Sequence, residues 1–299
     1  MDKAPFIYYK YTSKGVERID GLVIGETRWT LYVNQQELTT VMCTPRAMHY
    51  WAVGFCLNEG LIHSLGDVSL LCVYEAPDRC YYFAPALGMN ETLTMHVCQE
   101  SVGVIDLRLK TKITLPTRRV LTSGCGGGVT FDDLAAGHEP LVSTRVAQAE
   151  EIFALMRELN QRALLYRASR GVHTSLLASR DGELILAEDV GRHNTLDKIR
   201  GECSMRGIDT QDGILITSGR ISSEMVTKAV KMGVAIVASR TSPTALSASL
   251  AQQWNITAIG YVRGNEMNVY THPQRIIPAH AHSLEAKNGL RAREDSMMD

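Results

Sequence analysis

Between residues 214 and 262 the chain alternates between short apolar runs and amphipathic stretches, and this pattern limits the fold more than any other feature. Ile214-Leu215-Ile216, Val234–Ser239 and Ile256–Val262 read as buried strands. Ser222–Met232 reads as a helix. Ser222 can cap it, Lys228 and Lys231 suit the negative end of its dipole, and Gly233 can stop it. Ser242-Pro243 offers a cap and a first-turn proline for a second helix that runs to Trp254. Strands joined through helices pair in parallel by right-handed crossovers. The C-terminal ends of these strands therefore share one edge of one sheet.

The sequence before this stretch extends the pattern. From Ala149 to Arg167, Ile152, Leu155, Met156, Leu159, Ala163 and Tyr166 fall at helical spacing. Val172–Ser179 and Leu184–Ala187 flank Asp181-Gly182, a hairpin signal. Arg192–Arg200 reads as a helix ended by Gly201. The order is α-β-β-α-β-α-β-α-β, which predicts a three-layer α/β domain over 149–280. Residues 1–115 differ. Ile7-Tyr8-Tyr9, Leu22-Val23-Ile24 and Trp29–Val33 are strand-like, as are 69–75, 80–84, 92–98 and 102–112. With one helix over 46–58, near a stop at Gly60, they predict a mostly β domain. Residues 116–148 read as a linker and 281–299 as a polar, disordered tail.

Composition narrows the function classes. A formal charge of −1 provides no bulk attraction to nucleic acid or an anionic membrane. No apolar run approaches the roughly 18 residues of a membrane-spanning helix, and the N-terminus lacks a signal-peptide core. A cytoplasmic protein without nucleic-acid or membrane partners is expected. The seven cysteines are irregularly spaced with no C-x-x-C pair, so free thiols are expected rather than disulfides or a zinc site.

One thiol stands apart. Cys125 lies in Thr122-Ser123-Gly124-Cys125-Gly126-Gly127-Gly128, where four glycines give it reach and little packing. Such a thiol suits the acceptance of a sulfur atom at one surface and its delivery at another; an incidental cysteine in a glycine linker is the bland alternative. The loop is expected to become ordered only on binding. Arg108, Lys110 and Lys112 alternate ahead of it, followed by Arg118 and Arg119. They form either a solvated face or a cationic approach to Cys125.

Four further segments sit at ends of predicted strands, where open α/β sheets bind ligands. Glu188-Asp189-Val190-Gly191-Arg192-His193-Asn194 precedes a helix, and Arg192 or His193 could meet a phosphate or a polar ring. Thr217–Glu224, Ser239–Thr244 and Tyr261–Asn268 follow three successive strands and bring Arg220, Arg240 and Arg263. These arginines could line one crevice fitted to a ligand with several phosphates. A zinc nucleobase deaminase would need H-x-E and P-C-x-x-C motifs, but His193 is followed by Asn194-Thr195. No zinc is expected.

Taken together, Glu188–Asn194, Thr217-Ser218-Gly219-Arg220, Ser222-Ser223-Glu224-Met225 and Asn268-Val269-Tyr270-Thr271 resemble the formate dehydrogenase accessory sulfurtransferase family, usually called FdhD. The likeness covers roughly residues 20–275. It implies a cytidine-deaminase-like core and a protein that accepts persulfide sulfur from a cysteine desulfurase. That sulfur would pass to the molybdenum bis-guanine-dinucleotide cofactor, a bound substrate, before its insertion into formate dehydrogenase. Cys125 takes the position of the family's loop thiol. Tyr261, Val262, Arg263, Gly264, Asn265 and Glu266 take that of its cofactor-contact segment, with Arg220, Arg240 and His193 as further candidates. A homodimer is also implied. Two departures stand out: Gly128 occupies the place of a second loop cysteine, and Glu266 that of an expected basic residue. The missing cysteine leaves open a cofactor-binding chaperone that transfers no sulfur.

Overall fold

The computed structural model describes residues 3–76, 79–84, 89–93, 103–114, 120–121, 129–130 and 137–278. It opens on a two-stranded antiparallel ribbon, β1 (Lys3–Thr12) and β2 (Gly15–Ile24), paired from Lys3↔Ile24 to Thr12↔Gly15. Both faces of this ribbon meet solvent: Phe6, Ile7, Tyr8, Tyr9 and Tyr11 are all exposed.

Next come β3 (Thr27–Val33), β4 (Gln36–Cys43), helix α1 (Met48–Asn58), β5 (Val68–Ala76), β6 (Arg79–Ala84), β7 (Met89–Leu93) and β8 (Val104–Leu109). They form a six-stranded sheet in the order β4-β3-β8-β5-β6-β7, parallel only at β3–β8. Alternating residues Trp29, Leu31 and Val33 of β3, with Leu71, Val73, Ile105 and Leu107, face α1 and make the first core. The strand carrying Arg108 ends at Leu109, so Lys110 and Lys112 do not continue its face, and Arg108 pairs with Asp106 at 3.0 Å. Two short strands, β9 (Val120–Leu121) and β10 (Val129–Thr130), pair antiparallel. Cys125 and the rest of 122–128, Arg118, Arg119, Cys98 and the 281–299 tail lie outside the described residues.

The remaining elements are β11 (Ala147–Gln148), α2 (Ala149–Arg162), α3 (Leu164–Ser169), β12 (His173–Ala178), β13 (Leu184–Asp189), α4 (Arg192–Arg206), β14 (Ile214–Thr217), α5 (Ser223–Lys231), β15 (Ile236–Ser239), α6 (Ala245–Gln253), β16 (Thr257–Arg263), β17 (Glu266–Val269) and β18 (Ile276–Ile277). The second sheet runs β13-β12-β14-β15-β16-β17, with β14, β15 and β16 parallel. Its central strands bury both faces. Leu177, Leu215, Val237 and Ala258 pack under α4, α5 and α6, whereas Leu176, Ile214, Ile216, Ile236, Ala238 and Ile259 pack under α2. Near-continuous apolar runs are what two-sided burial requires.

Several elements depart from the sequence expectation. The single helix predicted over 149–167 breaks at Ala163, because the Glu188 carboxylate accepts the Leu165 and Tyr166 amides at 2.9 and 2.8 Å and starts a separate helix, α3. Helix α4 does not end at Gly201; it continues to Arg206 and stops at Gly207, which takes the left-handed conformation. The last helix is capped by Thr244 rather than Ser242, through a reciprocal bond with Ser247. An unpredicted strand, β17, returns antiparallel beside β16 across the Gly264-Asn265 turn.

Gly201 has a different role from the stop signal expected of it. A methyl group there would lie 1.8 Å from the Tyr50 carbonyl oxygen, and one on Gly54 would lie 1.8 Å from that of Asp197. Helices α1 and α4 thus touch backbone to backbone. Accordingly α1 is apolar around most of its circumference, with Trp51, Ala52, Val53, Phe55 and Cys56 all buried. Polar groups close the contact on both sides. Asp189 accepts from the Thr44 amide (3.2 Å), Lys198 Nζ (2.6 Å), the Gly191 amide (2.8 Å) and Asn194 Nδ2 (2.9 Å). Trp51 Nε1 donates to Asn194 Oδ1 at 3.2 Å. Further along, Asp197 accepts from Asn58 Nδ2 at 2.7 Å and from Lys228 Nζ, which also lies 3.9 Å from Glu59. Burial pulls the Lys228 pKa down, but the Asp197 and Glu59 carboxylates outweigh it and the net shift is upward.

Two outcomes follow for stability. Gly54→Ala and Gly201→Ala are each expected to cost about 3 kcal/mol or more, because backbone must move to admit the methyl group. Lys228→Met leaves two buried carboxylates facing each other and is expected to cost about 3–5 kcal/mol. Denaturant unfolding of the three variants against the parent measures both.

Candidate functional site

Two of the parallel strands, β14 and β15, end in hydroxyl residues, Thr217 and Ser239, and those hydroxyls fold the following loops back over the sheet edge. Thr217 and Ser239 are paired neighbours. Ser239 Oγ donates to the Gly219 carbonyl at 2.6 Å and accepts the Thr241 amide at 3.0 Å, while the Gly219 amide reaches Thr217 Oγ1 at 3.3 Å. On the other side Ser218 exchanges bonds with Thr174: its Oγ accepts the Thr174 amide at 3.0 Å and its own amide donates to Thr174 O at 2.9 Å. The loops that carry the candidate side chains are therefore fixed by short polar contacts.

The junction arginines lie on the loops of this edge. The Arg240 amide donates to Thr217 O at 3.2 Å, and Arg263 Nε reaches Arg240 O at 3.4 Å. Arg220 is exposed. Arg240 and Arg170 both lie over the Tyr166 ring, 5.1 and 5.2 Å from its centre, and Arg240 Nη2 donates to the Tyr166 hydroxyl at 3.1 Å. Hydrogen bonds from Arg170 and then Arg240 lower the Tyr166 pKa. The periodicity placed Tyr166 on an apolar helix stripe; its ring instead stacks against cations at the edge. His173, which no sequence motif marked, lies under the same loops: a methyl group on Gly219 would lie 3.2 Å from its Nδ1 and 3.3 Å from Arg192 Cβ. Burial lowers the His173 pKa, and Arg192, Arg220 and Arg240 all add to the effect.

The 261–266 segment is a hairpin tip. Tyr261, Arg263, Gly264, Asn265 and Glu266 are exposed, whereas Val262 is buried in the core under α2 and offers a ligand only its backbone. Tyr261 has φ 54, a conformation unfavourable for a bulky residue, and its amide is held by Thr241 O at 2.9 Å. The Arg263 guanidinium lies 5.9 Å from the Tyr261 ring centre. His193 is buried, with its ring between Ser222 Oγ (3.1 Å from Nε2) and Glu224 Oε2 (3.0 Å from Nδ1). Ser222 occupies the cap position of α5, but its hydroxyl makes no cap bond and goes to His193.

Cys43, Cys56, Cys72, Cys80 and Cys203 are free and buried. Burial raises all five pKa values, to about 11 for Cys72 and about 12 for Cys203. None of the five is a ready thiolate. Among the described residues no three His, Cys, Asp or Glu side chains are grouped to hold a metal ion, and no helix is long and apolar enough to cross a membrane.

Fold and edge together define a mixed α/β protein with a cationic, aromatic-flanked site where its parallel strands end. The FdhD/NarQ family model matches residues 24–277, and the chain belongs to that family. It is 32% identical over 271 residues to the sulfur carrier protein FdhD of Bacillus subtilis (strain 168), covering 90% of this chain and 95% of that one. It is 35% identical over 263 residues to the protein of the same name from Shouchella clausii (strain KSM-K16), with coverages of 87% and 91%. A crystal structure from Desulfotalea psychrophila, named as a formate dehydrogenase accessory protein, shares the fold. Its TM-score is 0.68 at 24% identity, over 92% of this chain and 99% of that one.

Three histidines, His193 buried and His49 and His173 half-buried, set an acid limit. Burial lowers the pKa of His49 from 6.5 to about 4, and those of His173 and His193 are lowered as well. A depressed folded-state value means the unfolded chain binds more protons below about pH 6.5, so stability falls as pH drops through that range. His49 alone is expected to remove on the order of 2 kcal/mol between pH 7 and pH 5. Thermal unfolding should show a lower midpoint at pH 5, with a smaller drop in His49→Phe.

Proposed function

We propose that this protein is a sulfur carrier for formate dehydrogenase maturation. In this reading Cys125 takes persulfide sulfur from a cysteine desulfurase and delivers it to a molybdenum bis-guanine-dinucleotide cofactor before that cofactor enters the enzyme. The carrying observation is that Arg240 and Arg263 meet on one strand-end edge beside the strained Tyr261, with Arg220 exposed on the adjoining loop after β14. Several guanidinium groups suit diphosphate oxygens, and an exposed aromatic ring suits a guanine face. The names of the relatives agree with this role. Burial of the five described thiols leaves Cys98 and Cys125 as candidate carriers, and of these Cys125 has the glycine-rich loop and the position of the family's loop thiol.

The remaining parts of the proposal follow from the same reading. The strand order around β12, β14, β15 and β16 supports a cytidine-deaminase-like core. The protein would act in the cytoplasm as a sulfurtransferase and a homodimer; the apolar side chains exposed on the β1–β2 ribbon offer a surface for a second copy.

Chemically, a desulfurase persulfide transfers its outer sulfur to the Cys125 thiolate and leaves as a thiol. The Cys125 persulfide then passes its outer sulfur to the acceptor: the S–S bond breaks with its electron pair staying on the Cys125 thiolate, and the acceptor supplies the pair for the new bond. The edge residues hold the anionic end of the cofactor while this occurs. Fixing both partners on one protein raises their effective concentration.

Incubation with a desulfurase and cysteine is expected to add one sulfur to the peptide bearing Cys125. Cys125→Ala should abolish client sulfuration without lowering the unfolding midpoint; full client activity in that variant would overturn the assignment. Guanosine diphosphate should bind at the edge, and Arg220→Ala should weaken binding about tenfold or more, the scale of one charge-assisted hydrogen bond. Calorimetry measures this, and no binding at millimolar nucleotide would refute the proposed pocket.

A further inference from the structure

Ser222, His193 and Glu224 form a hydrogen-bonded chain in the order hydroxyl, imidazole, carboxylate. Ser222 Oγ lies 3.1 Å from His193 Nε2, and His193 Nδ1 lies 3.0 Å from Glu224 Oε2. The carboxylate accepts the Nδ1 proton, which fixes the tautomer and leaves the Nε2 lone pair facing the hydroxyl. This is the arrangement that activates a serine for attack on a carbonyl, recognised by geometry rather than by sequence order. The setting agrees: the serine follows strand β14 and a tight loop and stands at the start of helix α5. Its hydroxyl makes no cap bond to the helix and is directed to the imidazole instead. Ser222 is half-buried, within reach of solvent, while His193 and Glu224 are largely shielded behind it.

We propose that Ser222 is a nucleophile and that this edge hydrolyses a small anionic ester or thioester, an activity additional to sulfur carriage. Ser222 Oγ bonds to the acyl carbon as His193 Nε2 takes its proton; the alcohol or thiol leaves with that proton. Water then attacks the acyl-serine, His193 takes one of its protons and returns it to Ser222 Oγ, and the carboxylic acid departs. Anionic substrates are specified because Arg220 is exposed on the same loop, just before Ser222, and Arg192 adjoins His193 at the start of α4. A neutral imidazole is required for the first step. Burial provides it, helped by Arg192, Lys228 and His173 and opposed by the Glu224 carboxylate.

The test uses the full-length protein and a fluorophosphonate probe, with the adduct located by peptide mass. A phosphonyl group is expected on Ser222, absent in Ser222→Ala and formed about 100-fold or more slowly in His193→Gln and Glu224→Gln. A p-nitrophenyl hemiester of a dicarboxylic acid should be cleaved faster than p-nitrophenyl acetate, and Arg220→Ala should remove that preference. No adduct on Ser222 in natively folded protein, or labelling indifferent to both His193→Gln and Glu224→Gln, overturns the proposal and makes the chain a tether between α4 and α5. Persulfide loading of Cys125, measured in the same Ser222→Ala sample, separates this result from the fate of the sulfur-carrier reading.

Discussion

The backbone contact between α1 and α4 at Gly54 and Gly201 governs where the rest of the molecule can sit. Two helices this close leave no layer of side chains between them, so the sheet that α1 covers and the sheet that α4 covers are held at a fixed separation. The charged groups around the crossing then set its angle and register. Asp189 gathers donors from Thr44, Gly191, Asn194 and Lys198, and Lys228 sits against Asp197 and Glu59. Such buried charges add little net stability over apolar packing of the same volume, but each is costly to leave unpaired. Their effect here is to penalise any other docking of the two sheets.

This arrangement changes the meaning of the segment from Glu188 to Asn194. Glu188 starts α3, Asp189 and Asn194 hold α1 and the chain near Thr44, and only then do Arg192 and His193 present groups to the edge. Most of the motif builds the platform, and a minority of its side chains faces the site. Tyr166 depends on that platform directly, because the helix that carries it begins on the Glu188 carboxylate.

Much of the second half was legible in the sequence because two-sided burial writes itself as apolar runs and the crossover rule then orders the strands. The convergence of Arg220, Arg240 and Arg263 on one edge could be anticipated from their positions after successive strands. Other features were not legible. Gly201 carries the same letter whether it stops a helix or lets another helix approach, and only the partner at Gly54 decides between these. Ser222 was read as a cap from its place before α5, but His193 is a better partner for its hydroxyl in three dimensions. The break at Ala163 depends on a carboxylate about two dozen residues downstream, beyond any local pattern. The β16–β17 hairpin did have a local signal in Gly264-Asn265, between two runs suited to strands.

The β1–β2 ribbon has a consequence for how the protein behaves in solution. Its exposed tyrosines, Phe6 and Ile7 favour contact with another apolar surface, and among the described residues neither strand pairs with a third on its outer edge. Lys3, Lys10, Lys14 and Arg18 outnumber Glu17 and Asp20 on it, so two ribbons that approach each other meet with like net charge. Screening shortens from about 10 Å at 0.1 M salt to about 3 Å at 1 M, and the repulsion fades while the apolar attraction persists. Raising the ionic strength therefore weakens what keeps two such ribbons apart and leaves intact what draws apolar surfaces together.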